Sequence, residues 1–176
     1  PSRATQLQVK LEMTKLCACL DISAACSGFV YGFCMADSLI KTGLFKNVLV
    51  VGSEMLSRIV NWKDRASCIL FGDGCGVAII GPTPKGDSSE VLSSVLSADG
   101  TGKKYLHLES GGAVKPLTPE GLMRDEQFLT MQGKEMFKVA VRTLADNAQL
   151  ALEKAQLRIS DIDWLVPHQA NMRIIE

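Results

Sequence analysis

The sequence predicts a layered α/β fold, and three observations carry that prediction. Helix-period and strand-like segments alternate along the chain. A short continuous apolar run, Asn47-Val-Leu-Val-Val-Gly-Ser, has the character of a parallel strand buried on both faces. Residues 128–155 keep the 3–4 spacing of an amphipathic helix through Phe137, Val141, Leu144, Ala148 and Ala151.

Taken in order, residues 4–14 form a first helix with Leu7, Leu11 and Thr14 on one face. Residues 16–22 read as a strand, which would turn Cys17 and Cys19 to the same side. A mostly apolar helix runs from Ala25 to Thr42 and is closed by Gly43 as a C-cap. Gly28 and Gly32 share a face of it, and each costs about 1 kcal/mol of helix propensity. That cost implies a deeply buried helix closely approached by another backbone. After the apolar strand at 47–53, a glycine loop at Phe71-Gly-Asp-Gly-Cys-Gly leads into the strand Val77-Ala-Ile-Ile. Residues 90–98 suggest another strand, and 99–126, rich in Gly, Pro and charge, an irregular connection. The amphipathic helix at 128–155 follows. A strand at 162–166 and a helix opening at 171–176 close the chain. Helix, strand and reactive-looking residue recur at 4–26 and 134–168, compatible with two related halves.

Composition bounds the function. The chain has 176 residues, 47% of them hydrophobic, which is about one domain with a core of its own. Lys+Arg and Asp+Glu both number 19, and this balance argues against broad nucleic-acid or membrane-surface binding. No apolar run approaches the ~18 residues of a membrane span. Six cysteines could make three bridges, but four crowd into the first 34 residues and no Cys-x-x-Cys occurs. Free thiols in a reducing compartment are the better reading than a disulfide framework or a zinc site.

The chemistry centres on Ala24-Ala-Cys-Ser-Gly-Phe29. Cys26 lies between small residues at a strand-to-helix turn, where unpaired N–H groups and the helix dipole favour a thiolate. A thiolate there suits covalent catalysis, although bare cysteines are commonly core. Far downstream, Val166-Pro-His-Gln-Ala-Asn171 offers His168 after a buried-type strand, as a partner for Cys26. The glycine loop fails the dinucleotide fingerprint, since Val77 stands at the third glycine position, and it lacks the Gly-Lys-Ser/Thr of a P-loop. It reads as a tight turn with close packing. His107 reads as a surface residue. Arg65, Lys134, Lys138 and Arg173 read as a solvated face unless they surround one pocket.

Four motifs together resemble β-ketoacyl-acyl-carrier-protein synthase III: Asp21-Ile-Ser-Ala-Ala-Cys-Ser-Gly-Phe, Phe71-Gly-Asp-Gly, Met131-Gln-Gly-Lys-Glu-Met-Phe-Lys-Val-Ala-Val and Pro167-His-Gln-Ala-Asn-Met-Arg-Ile. The resemblance runs along essentially the whole chain. It implies a thiolase-like αβαβα fold, with 1–98 as part of the N-terminal half, 99–127 as a connecting region and 128–176 as the start of the C-terminal half. It implies an acyltransferase that condenses an acyl-CoA starter with malonyl-acyl-carrier protein, with loss of CO2, to begin fatty acid synthesis. Cys26 matches the acyl-accepting nucleophile and His168 the histidine that assists decarboxylation. Arg65 matches a residue stacking on the CoA adenine, and Phe71 one lining the active site. Gly133, Phe137 and Ala170 match the pantetheine tunnel, and Lys138 and Arg173 the carrier-protein docking positions. Lys134 stands where relatives often carry Asn, and its role stays open. The resemblance further implies a cytoplasmic homodimer with no metal or redox cofactor, and no nucleic-acid or membrane partner.

The family's third catalytic residue, an Asn beyond the histidine, and a C-terminal glycine loop that serves the oxyanion hole find no match before Glu176. Asn171 belongs to the histidine motif and does not take the place of that Asn. The chain therefore reads as an internal fragment lacking both ends, poorly soluble and nearly inactive in condensation by itself. Loss of one oxyanion donor costs about 10²–10³ in rate. Rival readings are another condensing enzyme (polyketide starter or hydroxymethylglutaryl synthase type), a non-catalytic partner subunit of that fold, and a thiol redox or metal protein.

Overall fold

Helix α1 (Arg3–Lys10) begins where a carboxylate from outside the helix meets its unpaired N–H groups. In the computed structural model, which describes residues 2–14 and 16–175, Asp21 accepts from the N–H of Arg3 at 2.6 Å and of Ala4 at 2.8 Å. The Ser2 hydroxyl donates to the same carboxylate at 2.9 Å. These N–H groups, with Ala4 contributing most, hold the Asp21 carboxyl below its ordinary pKa. The helix expected to run to residue 14 stops at Lys10. Glu12 adopts a left-handed φ of 52°, while the N–H of Met13 reaches back to the Gln8 carbonyl at 3.0 Å. This is the six-to-one closure of a Schellman end, without glycine.

Helix α2 (Gly28–Lys41) ends in the same way, here with the glycine the sequence marks. Gly43 has φ 74°, its N–H meets the Ile40 carbonyl at 2.9 Å, and that of Leu44 meets Leu39 at 3.1 Å. The seat of α2 on strand β1 (Val48–Met55) is reciprocal. A Cβ on Gly32 would lie 3.1 Å from Val50 Cγ1 and 3.7 Å from Ile22 Cδ1. In return, a Cβ on Gly52 would lie 3.4 Å from the Phe29 ring. Phe29 and Gly32 share a helix face, and Val50 and Gly52 share a strand face. Ala36 and Val50 are buried at this contact, at 1% and 7% exposure. The close approach expected at both helix glycines is found only at Gly32, and what approaches is side chains; Gly28 has nothing within 4 Å.

Strand β1 pairs with β2 (Asp73–Ile80) in a two-stranded sheet. Its expected burial on both faces is not found: Val50 is buried and Val51 exposed. Strands β3 (Leu106–Leu108) and β4 (Leu129–Met131) pair antiparallel, with His107 opposite Thr130. β4 takes up residues expected to open the long helix, so α5 runs from Gly133 to Ala155. Within the expected irregular connection lie a 3₁₀ stretch (Gly100–Tyr105), β3 and the short helix α4 (Pro119–Met123). Two short helices complete the set, α3 (Arg65–Cys68) and α6 (Met172–Ile175). Glu176, expected in the last helix, lies outside the described residues.

Segments 16–22, 90–98 and 162–166, expected as strands, carry no ladder partner among the described residues and run irregularly. A strand exists only by pairing, and an apolar, β-prone sequence does not supply its neighbour. Trp164, at 86% exposure, shows how open these segments are. The accessible area of 13684 Å² stands well above the roughly 8,400 Å² usual for a folded monomer of this mass.

The chain forms two units, one of Pro1–Gly52 with Val77–Gly86, the other of Ser53–Gly76 with Asp87–Glu176. The first holds α1, α2 and their seat on β1. In the second, α5 organises the chain. The N–H of Gln132 meets the Tyr105 carbonyl at 2.8 Å, and Ser93 Oγ donates to the Ala151 carbonyl at 2.7 Å. Helix α6 packs on α5, and α5 ends with Gln156 at φ 57°.

Two stability outcomes follow from these contacts. Gly32→Ala gains about 1 kcal/mol of helix propensity but presses into Val50, where overpacking costs about 1–3 kcal/mol. Urea unfolding is therefore expected to show a net loss for Gly32→Ala and no loss for Gly28→Ala. Gln156→Gly relieves a left-handed non-glycine residue and is expected to raise stability by up to about 1 kcal/mol.

Candidate functional site

Cys26 sits in a 3₁₀ turn, Ala25–Ser27, that runs directly into α2. Ala25 takes φ 46°, a left-handed conformation costly for a residue with a Cβ, and the N–H of Ser27 closes on the Ala24 carbonyl at 3.1 Å. The chain thus reverses sharply just before the thiol, leaving Cys26 exposed at the head of a 14-residue helix. The positive end of that helix favours a thiolate there. Strained backbone of this kind is common beside reactive groups, because surrounding packing must hold it. Here the turn leads directly into α2, which is seated on β1.

His168 is exposed in the irregular segment ahead of α6. Close by, the Asn171 side-chain oxygen is buried without a hydrogen-bond partner. Cys26 belongs to the first unit and His168 to the second. Gly133 opens α5, and Phe137 lies half-buried one turn on. Ala170 is half-buried and Arg173 is exposed on α6, the helix that packs on α5. Lys138 is exposed on α5 and paired with Glu135 at 2.9 Å. Exposed pairs of this type are worth about 1 kcal/mol or less, so the ammonium can exchange partners readily.

Arg65 is the exposed first residue of α3, whose start is fixed by Asp64 accepting from the Ala66 N–H at 3.0 Å. Phe71 is half-buried beside the glycine loop. The tight, closely packed turn expected there is not found: Asp73 to Gly76 are the opening residues of strand β2, and a Cβ at Gly72, Gly74 or Gly76 would meet nothing within 4 Å. Its Asp73 acts as a staple, accepting from the Ser57 N–H at 2.8 Å and hydroxyl at 2.6 Å. The Ser57 hydroxyl, then its N–H, hold the Asp73 carboxyl below its ordinary pKa. The first strand's exit and the second strand's entry are thereby tied together.

One cluster was not legible in the sequence. Glu126 accepts from Ser110 Oγ at 2.6 Å and Arg124 Nε at 2.9 Å, and pairs with Lys115 at 3.1 Å. Lys115 also pairs with Glu109 at 2.6 Å. His107, expected on the surface, is half-buried, with Nε2 3.5 Å from Glu109 and Nδ1 buried without a partner. The one signal that could have found this cluster is the density of charge in 99–126, which does not say which charges meet. Among the described residues, no three His, Cys, Asp or Glu side chains are grouped to hold a metal ion, and no helix is long and apolar enough to cross a membrane.

Glu126 has a measurable consequence. Hydrogen bonds from Ser110, then Lys115 and Arg124, bring its pKa from 4.5 down to about 2. Between those values the unfolded chain binds a proton that the folded chain does not, so stability rises with pH across that window. The contribution is complete above about 4.5 and lost as pH falls toward about 2. Glu126→Gln is expected to flatten the pH dependence of urea unfolding in that interval; an unchanged slope would contradict the assignment.

The comparisons with known proteins agree with the motifs. The family model for 3-oxoacyl-acyl-carrier-protein (ACP) synthase III matches residues 20–100. The model for the C-terminal part of the same enzyme family matches residues 152–176. The β-ketoacyl-acyl-carrier-protein synthase III of Caldanaerobacter subterraneus subsp. tengcongensis is 46% identical over 176 residues, covering 100% of this chain and 52% of that protein. The chain spans about half the length of the curated relatives it matches. The synthase III crystal structure from Thermus thermophilus superimposes with a TM-score of 0.85 at 40% identity, over 99% of this chain and 52% of that one. The priming β-ketosynthase of the R1128 polyketide biosynthetic pathway gives 0.83 at 32% identity, over 99% and 50%. The fold is thus the thiolase-like α/β fold of these enzymes.

Proposed function

The chain belongs to the 3-oxoacyl-acyl-carrier-protein synthase III family, and on that premise we propose that its protein condenses an acyl-CoA with malonyl-acyl-carrier protein to start fatty acid synthesis. The observation that carries the reading is the placement of Cys26, exposed on a left-handed turn at the head of α2. It lies inside the matched segment 20–100, and His168 lies inside the matched segment 152–176.

In this reading the Cys26 thiolate attacks the thioester carbonyl of the acyl-CoA. A new C–S bond forms, and the CoA thiolate leaves. The positive end of α2 stabilises the oxyanion of the tetrahedral intermediate. Malonyl-carrier protein then loses CO2, and His168 donates a hydrogen bond to the thioester oxygen on which the enolate charge gathers. The carbanion attacks the acyl-Cys26 carbonyl, a C–C bond forms, and the Cys26 thiolate is released. The product is a 3-ketoacyl-carrier protein. Every bond in this scheme is made without a redox or metal cofactor.

Arg65 is assigned to stacking on the CoA adenine. Phe71, Gly133, Phe137 and Ala170 are assigned to the walls of the substrate passage, and Lys138 and Arg173 to the acidic carrier protein. The protein works as a cytoplasmic homodimer, whose subunit contact would cover part of the apolar surface open here.

Intact-mass measurement after incubation with acetyl-CoA and longer acyl-CoAs tests the first half-reaction. An acyl mass gain is expected on the unaltered protein and none on Cys26→Ala; an adduct surviving in that variant contradicts the role. His168→Ala is expected to keep the acyl gain while condensation falls about 10²–10³-fold. Loss of both half-reactions together would remove His168 from the decarboxylation step.

A further inference from the structure

A pair of thiols lies upstream of the nucleophile, in the same unit and outside the acyl-transfer scheme. The sulfurs of Cys17 and Cys19 are 3.8 Å apart. Both residues are half-buried and both thiols are free. Cys17 Sγ accepts from the side-chain amide of Gln8 at 3.3 Å, and the same amide donates to the Thr14 carbonyl at 2.8 Å. The Cys19 thiol is placed to donate to the Cys17 carbonyl at 3.8 Å. The two sulfurs thus differ in role: one receives a donor from α1, the other gives its proton locally.

A disulfide needs sulfurs about 2.05 Å apart and Cα atoms within about 7 Å. Residues two apart in a chain meet the second condition, and a small rotation of each side chain meets the first. Among the described residues the segment belongs to no β-ladder, so the closure breaks no strand pairing found there. We propose that Cys17 and Cys19 are a dithiol that closes reversibly to an intramolecular disulfide when it meets a low-molecular-weight disulfide of the glutathione type.

The exchange balances in two steps. Cys17 thiolate attacks one sulfur of glutathione disulfide, that S–S bond breaks, and one glutathione thiolate leaves and takes up a proton. Cys19, deprotonated, then attacks the Cys17 sulfur of the mixed disulfide and expels the second glutathione. Two protein thiols lose two electrons and two protons; one glutathione disulfide becomes two glutathiones. The Gln8 side-chain amide, donating to Cys17 Sγ at 3.3 Å, holds that sulfur in place as the first attacker. Burial, and then the neighbouring Cys17, raise the Cys19 pKa and keep its proton on until the second step. Asp21, which caps α1, follows two residues after Cys19, and Cys26 lies five further on.

The test equilibrates the reduced chain in graded glutathione and glutathione disulfide, blocks remaining thiols by alkylation, and maps the bridge by peptide fragmentation. The expected result is a peptide bearing Cys17 and Cys19 that is two hydrogens lighter and alkylated at neither thiol, reversed by dithiothreitol, with any glutathione on the exposed Cys26 and Cys75 read separately as mixed disulfide. Cys19→Ser is expected to trap glutathione on Cys17 on the order of tenfold faster than Cys17→Ser traps it on Cys19. Continued alkylation of both thiols in excess glutathione disulfide would overturn the proposal. So would a bridge from either residue to a different cysteine, and equal trapping in the two variants would overturn the order of attack.

Discussion

The reciprocal seat of α2 on β1 is the constraint on which the first unit depends. Gly32 admits Val50 so closely that a Cβ there would lie 3.1 Å from its Cγ1, and Gly52 lets the Phe29 ring come to the van der Waals distance of a would-be Cβ, 3.4 Å. Two fits in register fix both the height and the rotation of the helix. The turn bearing Cys26 is the lead-in to that helix, so its position follows from a packing contact one to two turns away. The left-handed Ala25 lies at the entrance to the same helix.

Around that seat, carboxylates do structural work. Asp21 caps α1 from across the chain, Asp64 caps α3, Asp73 ties the exit of β1 to the entry of β2, and Glu126 gathers Ser110, Lys115 and Arg124. All four carboxyls are lowered in pKa by donors they receive from nearby residues. A lowered carboxyl is a poor general acid or base near neutral pH. Their chemistry is therefore absorbed in holding the backbone.

The features legible in the sequence were those encoded locally. Gly43 marked the end of α2, the 3–4 spacing marked α5, and the small residues around Cys26 marked a turn into a helix. Hidden features depended on partners. Glu12 and Gln156 end helices in left-handed conformations that only the tertiary context selects. Segments 16–22, 90–98 and 162–166 have strand composition, but pairing is a property of two segments, and composition describes one. Glu126 looked like any other charge in a charged stretch until Ser110 and Lys115 were placed beside it. At the site, the Cys26 turn was legible from its neighbours, whereas the roles proposed for Arg65, Lys138 and Arg173 come from the motifs and not from local chemistry.

The proposed chemistry stands or falls on whether Cys26, exposed at the head of α2, is a reactive thiol rather than merely an exposed one. Cys75 supplies an internal control, being exposed but lying in strand β2. Time-resolved alkylation with iodoacetamide at neutral pH, read residue by residue by mass spectrometry, compares the two directly. Cys26 is expected to react at least about tenfold faster than Cys75. Equal rates, or a faster Cys75, would contradict the reactive role of Cys26.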